Sequence, residues 1–258
     1  MKITTLLENT AKRADLCAEH GLSLYIETGG RKILFDMGQT DLFAQNARTL
    51  GIDLAQVDIA VLSHGHYDHG GGLRKFLEIN SRAPVYMSPY AFLPHYNGTE
   101  KYIGLDISLA DDPRMIFTED THRIDSSMCL FSCNDRDRKY RFSPFGLTEK
   151  KDGLWIPDDF RHEQYLLLEE NGKRILISGC SHKGILNIMD WFSPDILVGG
   201  FHFSKMPLGE ELAEMAKTLA RYPTVFYTCH CTGTVQSEFM RRYMPNLHDL
   251  SCGTRIIL

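Results

Sequence analysis

The chain has no long apolar run. No stretch of its 258 residues approaches the roughly 20 apolar residues that a helix needs to cross a bilayer, and its first residues lack the pattern of a signal peptide. A paired-cysteine framework is also missing, because the seven cysteines are odd in number and scattered. We therefore expect a cytoplasmic protein with reduced thiols and no membrane partner.

An excess of positive charge is missing too. The formal net charge is -5, whereas a nucleic-acid surface normally shows a basic patch. The basic run 136–141 is interpreted as a solvated loop. A hydrophobic content of 43% and a charged content of 24% are ordinary for a globular enzyme. These features favour a small-molecule substrate over nucleic acid and leave the oligomeric state open.

The most informative segment is 63–71, which contains the pattern H-x-H-x-D-H. The pattern consists of His64, His66, Asp68 and His69. Neutral imidazoles and a carboxylate suit zinc, or iron and manganese in some settings. The segment follows the apolar run 57–62, which predicts a buried strand, and two glycines then let the chain turn tightly and begin a helix. We therefore predict a metal site at the end of a strand.

The chain contains an internal duplication. Residues 25–36 and 167–178 both show an apolar strand, a glycine-containing turn and a second apolar strand, which predicts a β-hairpin. Helix, strand, helix and strand then follow in each half, over 41–50, 58–61, 72–79 and 83–87 in the first and over 184–192, 195–198, about 208–221 and 222–227 in the second. This predicts an α+β fold, an αββα sandwich in which two mixed β-sheets pack face to face with helices on the outer faces. We treat residues 1–258 as a single domain, because either half alone would leave one sheet face bare.

The segment from about 88 to 159 has no counterpart in the second half. Long insertions near a site often form lids or substrate walls, so we regard this segment as a candidate substrate lid. Lys101 and Tyr102, which lie within it, are interpreted as solvated loop residues rather than as an anion-binding pair.

Equivalent strand ends of the two halves should meet at one edge of the sandwich. The first half brings Asp36 and the histidine cluster to this edge. The second half brings three short segments that contain polar residues: Cys180, Ser181 and His182; Phe201 and His202; and Cys229, His230 and Cys231. Strand alternation would turn the thiols of Cys229 and Cys231 away from the direction that His230 faces, so we interpret them as packed side chains. The other histidines without such context are interpreted as surface or structural residues: His20, His95, His122 and His248.

The histidine motif resembles the signature of the metallo-β-lactamase superfamily, whose members carry a two-metal site between two β-sheets. The resemblance implies these ligands: His64 and His66 for the first metal ion, and Asp68 and His69 for the second. His230 matches the last histidine ligand of the family, and Asp36 matches the buried aspartate that supports the site from behind. One subgroup, named after 7,8-dihydropterin-6-methyl-4-(β-D-ribofuranosyl)aminobenzene-5′-phosphate synthase, has similar later motifs, here S-G-C-S-H-K-G-I, G-G-F-H, H-C-T-G and Y-I-G-L.

The remaining metal ligand is left open. Many members of the family have a bridging aspartate where Cys180 falls, and a thiolate there would bind one metal. We prefer His182, two residues later, and keep Cys180 and His162 as candidate additional ligands. His202 is not at a usual ligand position of the family, but the duplication places it at the edge of the site.

The resemblance implies a metal-dependent hydrolase with two divalent ions, with zinc preferred and iron or manganese as alternatives. It implies attack by a metal-bound hydroxide on a small phosphorylated, ester or cyclic-phosphate substrate of the pterin-pathway type. Asp68 is the expected orienting group for the hydroxide, and His202 the expected proton donor or phosphate-binding group. Two alternatives are a mononuclear iron oxygenase of the same fold, which the cysteine-rich edge would suit, and a non-catalytic metal-dependent ligand sensor.

Overall fold

The computed structural model describes residues 1–141, 143 and 145–258. Their strands form two seven-stranded sheets and one four-stranded sheet. In chain order the strands are β1 (Lys2–Leu7), β2 (Ser23–Thr28), β3 (Arg31–Phe35), β4 (Ile59–Val61), β5 (Val85–Met87), β6 (His95–Asn97), β7 (Lys101–Tyr102), β8 (Met115–Phe117), β9 (Thr121–Arg123), β10 (Met128–Phe131), β11 (Leu147–Lys151), β12 (Leu154–Pro157), β13 (Tyr165–Glu170), β14 (Lys173–Ile177), β15 (Ile196–Val198), β16 (Val225–Thr228), β17 (Leu247–Asp249) and β18 (Arg255–Ile257). The α-helices are α1 (Leu42–Thr49), α2 (Tyr67–Gly70), α3 (Leu73–Ile79), α4 (Ile185–Phe192), α5 (Glu210–Leu219) and α6 (Thr234–Met240). None of the described helices is long and apolar enough to cross a membrane.

The two large sheets share one pairing pattern. Their strand orders are β18-β1-β2-β3-β4-β5-β8 and β9-β10-β13-β14-β15-β16-β17. Each contains an antiparallel hairpin, β2–β3 or β13–β14, whose second strand begins a parallel run, β3-β4-β5 or β14-β15-β16. The duplication predicted from the sequence is therefore visible in the topology, and the predicted helices α1, α3, α4 and α5 lie between the expected strands.

Alternation along the strands creates three apolar layers. In β3, Ile33 and Phe35 belong to the core between the two large sheets, whereas Leu34 packs with the helices. In β14, Ile177 belongs to the inner core and Leu176 to the helix-covered face. Because both faces of these strands are covered, their sequences are apolar almost throughout. Helices α1 and α3 cover the first sheet, and α4, α5 and α6 cover the second, which confirms the predicted αββα sandwich.

The segment 88–159 is only partly an insertion. Strand β8 extends the first large sheet in parallel with β5, and β9 and β10 extend the second through β13. The small separate sheet has the order β12-β11-β6-β7, and positions 142 and 144 lie outside the described residues. Strands β8, β9 and β10 were not predicted, because strands of three or four residues carry little periodicity. That residues 1–258 form one domain, with the segment 88–159 as a substrate lid, stays a prediction.

Ile26 and Ile257 offer a matched test of the layers. Ile26, in β2, is fully buried between the sheets, whereas Ile257, in β18, is 81% exposed. We expect Ile26→Ala to lower the free energy of unfolding by about 2–5 kcal/mol, because it leaves a cavity in the core. Ile257→Ala should change it by less than about 1 kcal/mol. Urea unfolding followed by circular dichroism measures both, and equal losses would contradict this assignment.

Candidate metal centre

The ends of five strands deliver polar residues to one edge of the sandwich. Asp36 follows β3, the H-x-H-x-D-H segment follows β4, and His182, His202 and His230 follow β14, β15 and β16. Parallel strands have their carboxyl ends at the same edge of the sheet. Ligand-binding clefts form outside this edge. A cavity of about 160 Å³ lies at this edge and is lined by residues of both halves, among them His20, His66, Asp68, Cys180, His182, His202, His230 and Cys231.

Asp36 organises the first half of the site. Its buried carboxylate accepts hydrogen bonds from Ser63 N–H (2.7 Å), the Ser63 hydroxyl (2.7 Å) and His69 Nδ1–H (2.6 Å). Because the Ser63 hydroxyl donates to Asp36, it accepts from His64 Nδ1, 2.8 Å away. His64 and His69 therefore carry their protons on Nδ1 and turn the lone pair of Nε2 away from Asp36.

The first cluster consists of His64, His66 and His182. His64 Nε2 lies 3.3 Å from His182 Nε2, and the His66 ring is 4.6 Å from the His64 ring and 4.9 Å from the His182 ring. Two nitrogens bound to one tetrahedral zinc ion at about 2.0–2.1 Å lie about 3.3 Å apart. His66 Nε2 and His182 Nδ1 are buried, and neither has a hydrogen-bond partner among the described residues. The spacing of this cluster therefore suits ligands of one metal ion.

The second cluster consists of Asp68, His69, His230 and Cys180. His69 Nε2 faces the Cys180 thiol at 3.2 Å, and His230 Nε2 lies 3.2 Å from Asp68 Oδ2. His230 Nδ1 is 2.8 Å from Asn9 Oδ1, an oxygen that also accepts from Gly21 N–H, so His230 carries its proton on Nδ1. The lone pair of His230 Nε2 thus faces a carboxylate oxygen. Two acceptors at this distance repel each other unless a cation lies between them.

Burial keeps the imidazoles of the first cluster neutral. Burial and the neighbouring histidines hold the pKa of His64, His66 and His182 well below its ordinary value. Burial opposes ionisation of Asp68, but the nearby imidazoles, His20 first among them, outweigh it and hold the pKa of Asp68 well below its usual range. Neutral imidazole and ionised carboxylate are the forms that bind a divalent metal ion.

His162 lies with His95 and Asp158 beside His66, and one ligand atom from each of these four residues lies within 4.8 Å of the others. Gly65 N–H donates to His162 Nδ1 at 2.9 Å, so a neutral His162 carries its proton on Nε2. That nitrogen is 3.3 Å from Asp158 Oδ2, which also lies 2.9 Å from His95 Nδ1. In this arrangement the lone pair of His162 Nδ1 accepts the N–H of Gly65, the residue between His64 and His66. The His162 ring therefore packs against the motif segment and supports it.

His202 reaches the site as the duplication predicted. It is half-buried, has a left-handed backbone with φ of 57°, and its ring lies 4.3 Å from the His182 ring. Cys180, His202 and Cys231 offer ligand atoms that lie within 4.8 Å of one another. The cleft therefore combines imidazoles with two thiols.

The sequence interpretation misplaced His20 and Cys231, which both carry potential ligand atoms at the cleft. His20, interpreted as a surface or structural residue, lies 3.2 Å from Asp68, and its ring is 4.6 Å from that of His230. The prediction that Cys231 turns away was wrong, because its side chain lines the cleft and its thiol donates to the Cys180 carbonyl at 3.4 Å. Strand β16 ends at Thr228 and a 3₁₀ turn follows, so strand alternation does not extend to Cys231. No local pattern identifies His20, which a loop brings to the site.

The family model of the metallo-β-lactamase superfamily matches residues 18–222. The chain belongs to the metallo-β-lactamase superfamily. Two proteins of Methanocaldococcus jannaschii are similar to it. The uncharacterized protein MJ0448 is 33% identical over 78% of each chain. The 7,8-dihydropterin-6-methyl-4-(β-D-ribofuranosyl)-aminobenzene-5′-phosphate synthase is 26% identical over 98% of this chain and 95% of that protein.

A solved structure is similar over the full length. Tm1679, a metal-dependent hydrolase of the β-lactamase superfamily, matches with a TM-score of 0.86 and 29% identity, covering 100% of this chain and 99% of that one. The superfamily resemblance and the subgroup resemblance are therefore confirmed. The fold implies divalent metal binding, and the described residues fit it, because candidate ligand atoms in both clusters lie 3.2–3.3 Å from one another and hydrogen bonds from behind orient His64, His69 and His230.

Asp36→Asn tests the support of the metal centre. An amide places a donor where three donors converge, so we expect the orientation of His69 to be lost and zinc affinity to fall about 10- to 100-fold. Asp41→Asn, at an exposed position before α1, is the control and should leave the affinity unchanged. Competition with a chromogenic chelator measures both variants, and circular dichroism checks that they fold. Wild-type affinity in a folded Asp36→Asn protein would contradict this role.

Proposed function

We propose that the protein is a hydrolase with a binuclear metal site that acts on a small phosphorylated, ester or cyclic-phosphate substrate. One observation carries the proposal: two adjacent clusters hold imidazole, carboxylate and thiol atoms 3.2–3.3 Å from one another at one cleft. In the proposal His64, His66 and His182 hold one metal ion. Asp68, His69 and His230 hold the second, with Cys180 as an additional ligand beside His69. Zinc is preferred because buried imidazoles dominate the donor set, with iron and manganese as alternatives.

Each polar group then has a chemical task. Divalent ions at these positions lower the pKa of water towards neutrality and stabilise negative charge on an attacked phosphorus or carbonyl group. Asp68 orients the proton of the attacking water. His202, half-buried beside His182, is placed to protonate the leaving group or to hold a phosphate oxygen. Asp36 and His162 keep the motif segment rigid from behind.

The size of the cleft and the net charge of the whole chain support a small substrate. A cavity of about 160 Å³ is smaller than the roughly 300–1,000 Å³ of most ligand sites, so only the reacting part of a substrate fits inside. The net charge of -5 argues against nucleic acid. The similar synthase of Methanocaldococcus jannaschii is named for a 5′-phosphate product, which agrees with a phosphorylated substrate. We extend the proposal to a cytoplasmic enzyme.

The thiols favour one alternative, a mononuclear iron oxygenase. Cys180 and Cys231 lie beside His69 and His202 in the same cleft, and thiolates are soft ligands. Metal analysis separates the two functions, since the hydrolase should contain about two metal equivalents per chain and the oxygenase about one equivalent of iron.

His182 and His162 give a paired test of the ligand set. We expect His182→Ala to remove about one metal equivalent per chain, because it deletes a nitrogen that faces His64. His162→Gln should keep both equivalents, since an amide oxygen can still accept from Gly65 N–H. Mass-spectrometric metal analysis of the purified variants measures this. Loss of metal from His162→Gln, with His182→Ala unaffected, would reverse the two assignments.

Asp68→Asn tests the hydrolase chemistry. Because the amide neither binds metal as strongly nor accepts the proton of water, we expect kcat/KM for bis(4-nitrophenyl) phosphate to fall at least 100-fold. Asp58→Asn, at a surface position after α1, is the control and should retain wild-type turnover. Absence of turnover in the metal-loaded wild type on phosphodiesters, phosphomonoesters and esters alike would count against the hydrolase and favour a sensor or an oxygenase.

A further inference from the structure

The basic side chains of the metal cleft are not used by the proposed chemistry. Lys101 and Lys205 both line the cavity that contains His66, Asp68 and His182. Lys101 belongs to β7 of the small sheet, and Lys205 belongs to the loop that follows β15. Two segments far apart in the sequence therefore bring one ammonium group each to the mouth of the same cavity.

The hairpin β6–β7 explains why Lys101 rather than Tyr102 faces the cleft. Lys101 pairs with Asn97 and Tyr102 pairs with Tyr96, and cross-strand partners share a face of the sheet. Asn97 and Lys101 both line the cleft. Tyr102 instead donates its hydroxyl to the Leu105 carbonyl at 2.7 Å and packs edge-on against Tyr96. Both residues are exposed, as the sequence interpretation said, but they lie in strand β7 rather than in a loop, and Lys101 also lines the cavity.

Contacts hold both lysines at the rim of the cavity. Lys101 Nζ lies 3.4 Å from the Tyr67 hydroxyl and 5.5 Å from the centre of its ring, and Tyr67 stands between His66 and Asp68 in the motif. Lys205 Nζ lies 3.4 Å from the Phe145 carbonyl. These single long contacts leave donor positions on each ammonium group for a ligand.

The charges of the cleft favour an anion. Among the described residues that line it, Asp68 is the only carboxylate, and its Oδ2 lies 3.2 Å from His20 Nε2. Neither lysine has a carboxylate within 4.0 Å in the part of the chain that the structure describes, unlike Lys139, which pairs with Asp190 at 2.8 Å. Apolar side chains lie beside the lysines, since Ile103 and Leu147 line the same wall.

We propose that Lys101 and Lys205 form an anion clamp at the mouth of the metal cleft, which binds a phosphate or carboxylate substituent of the substrate other than the group that reacts. The cavity holds the reacting group only, so a substituent one to three bonds away emerges between the two ammonium groups. Ile103 and Leu147 contact the apolar part between the two anionic groups. The clamp deepens the proposed function, because it selects substrates that carry a second negative charge.

Binding of non-hydrolysable phosphonates to the metal-loaded protein tests the clamp without turnover. Methylphosphonate carries one anionic group, whereas 3-phosphonopropionate and propane-1,3-diphosphonate add a carboxylate or a second phosphonate. We expect Lys101→Gln and Lys205→Gln each to weaken binding of the two larger ligands about five- to tenfold in calorimetric titrations. Binding of methylphosphonate should change less than twofold. The larger ligand that loses more affinity identifies phosphate or carboxylate as the preferred substituent.

Controls separate the clamp from the metal centre and from the hydrolase proposal. Lys139→Gln, at an exposed lysine outside the cleft, should bind all three ligands as the wild type does. The clamp proposal is overturned if the double variant, Lys101→Gln with Lys205→Gln, binds the larger ligands with wild-type affinity. It is also overturned if the double variant loses as much affinity for methylphosphonate as for the larger ligands. Failure of the hydrolase proposal shows instead as absent turnover with these titrations unchanged. Affinity of the wild type for the diphosphonate should fall more steeply with added NaCl than that of the double variant.

Discussion

The carboxylate of Asp36 is the constraint on which the metal centre depends. It joins the end of β3 to the turn after β4 through Ser63 and to α2 through His69. Its backbone is held in the left-handed region with φ of 58°, a conformation that costs a non-glycine residue energy and persists only where the surrounding structure enforces it. One buried anion thereby sets the proton position on two histidines, and both lone pairs turn to the cleft.

The second half of the molecule uses Glu163 in a comparable way. Its carboxylate accepts the backbone N–H groups of His182 (2.6 Å) and Lys183 (3.0 Å) and the hydroxyl of Tyr165 (2.6 Å). Lys183 is buried beside it, and burial lowers the pKa of this lysine to about 8 although Glu163 opposes the shift. Removing the Glu163 carboxylate would leave these three donors without their partner, which is costly for buried polar groups. The loop that presents His182 is therefore held as firmly as the one that presents His64.

Much of the fold could be predicted because it rests on local patterns. The hairpins 25–36 and 167–178 contain a glycine turn between two apolar strands, and these segments became β2–β3 and β13–β14. The short strands β8 to β10 could not be predicted, because their place at the sheet edges depends on pairing with distant strands rather than on their own sequence. The same reason accounts for His20, which lies on a loop and meets Asp68 only through the packing of that loop.

The sequence by itself determined which chemistry is available. The H-x-H-x-D-H segment sets three imidazoles and one carboxylate within six residues, and strand endings place Asp36, His182 and His230 at one edge, because a parallel run of strands has a single carboxyl end. The tertiary structure alone decided which atoms face one another. The hydrogen bond from Gly65 to His162 joins residues far apart in the chain, and so does the cavity that His20, Lys101, Lys205 and Cys231 line together. Such contacts follow from the packing of two sheets and their loops, which local periodicity does not encode.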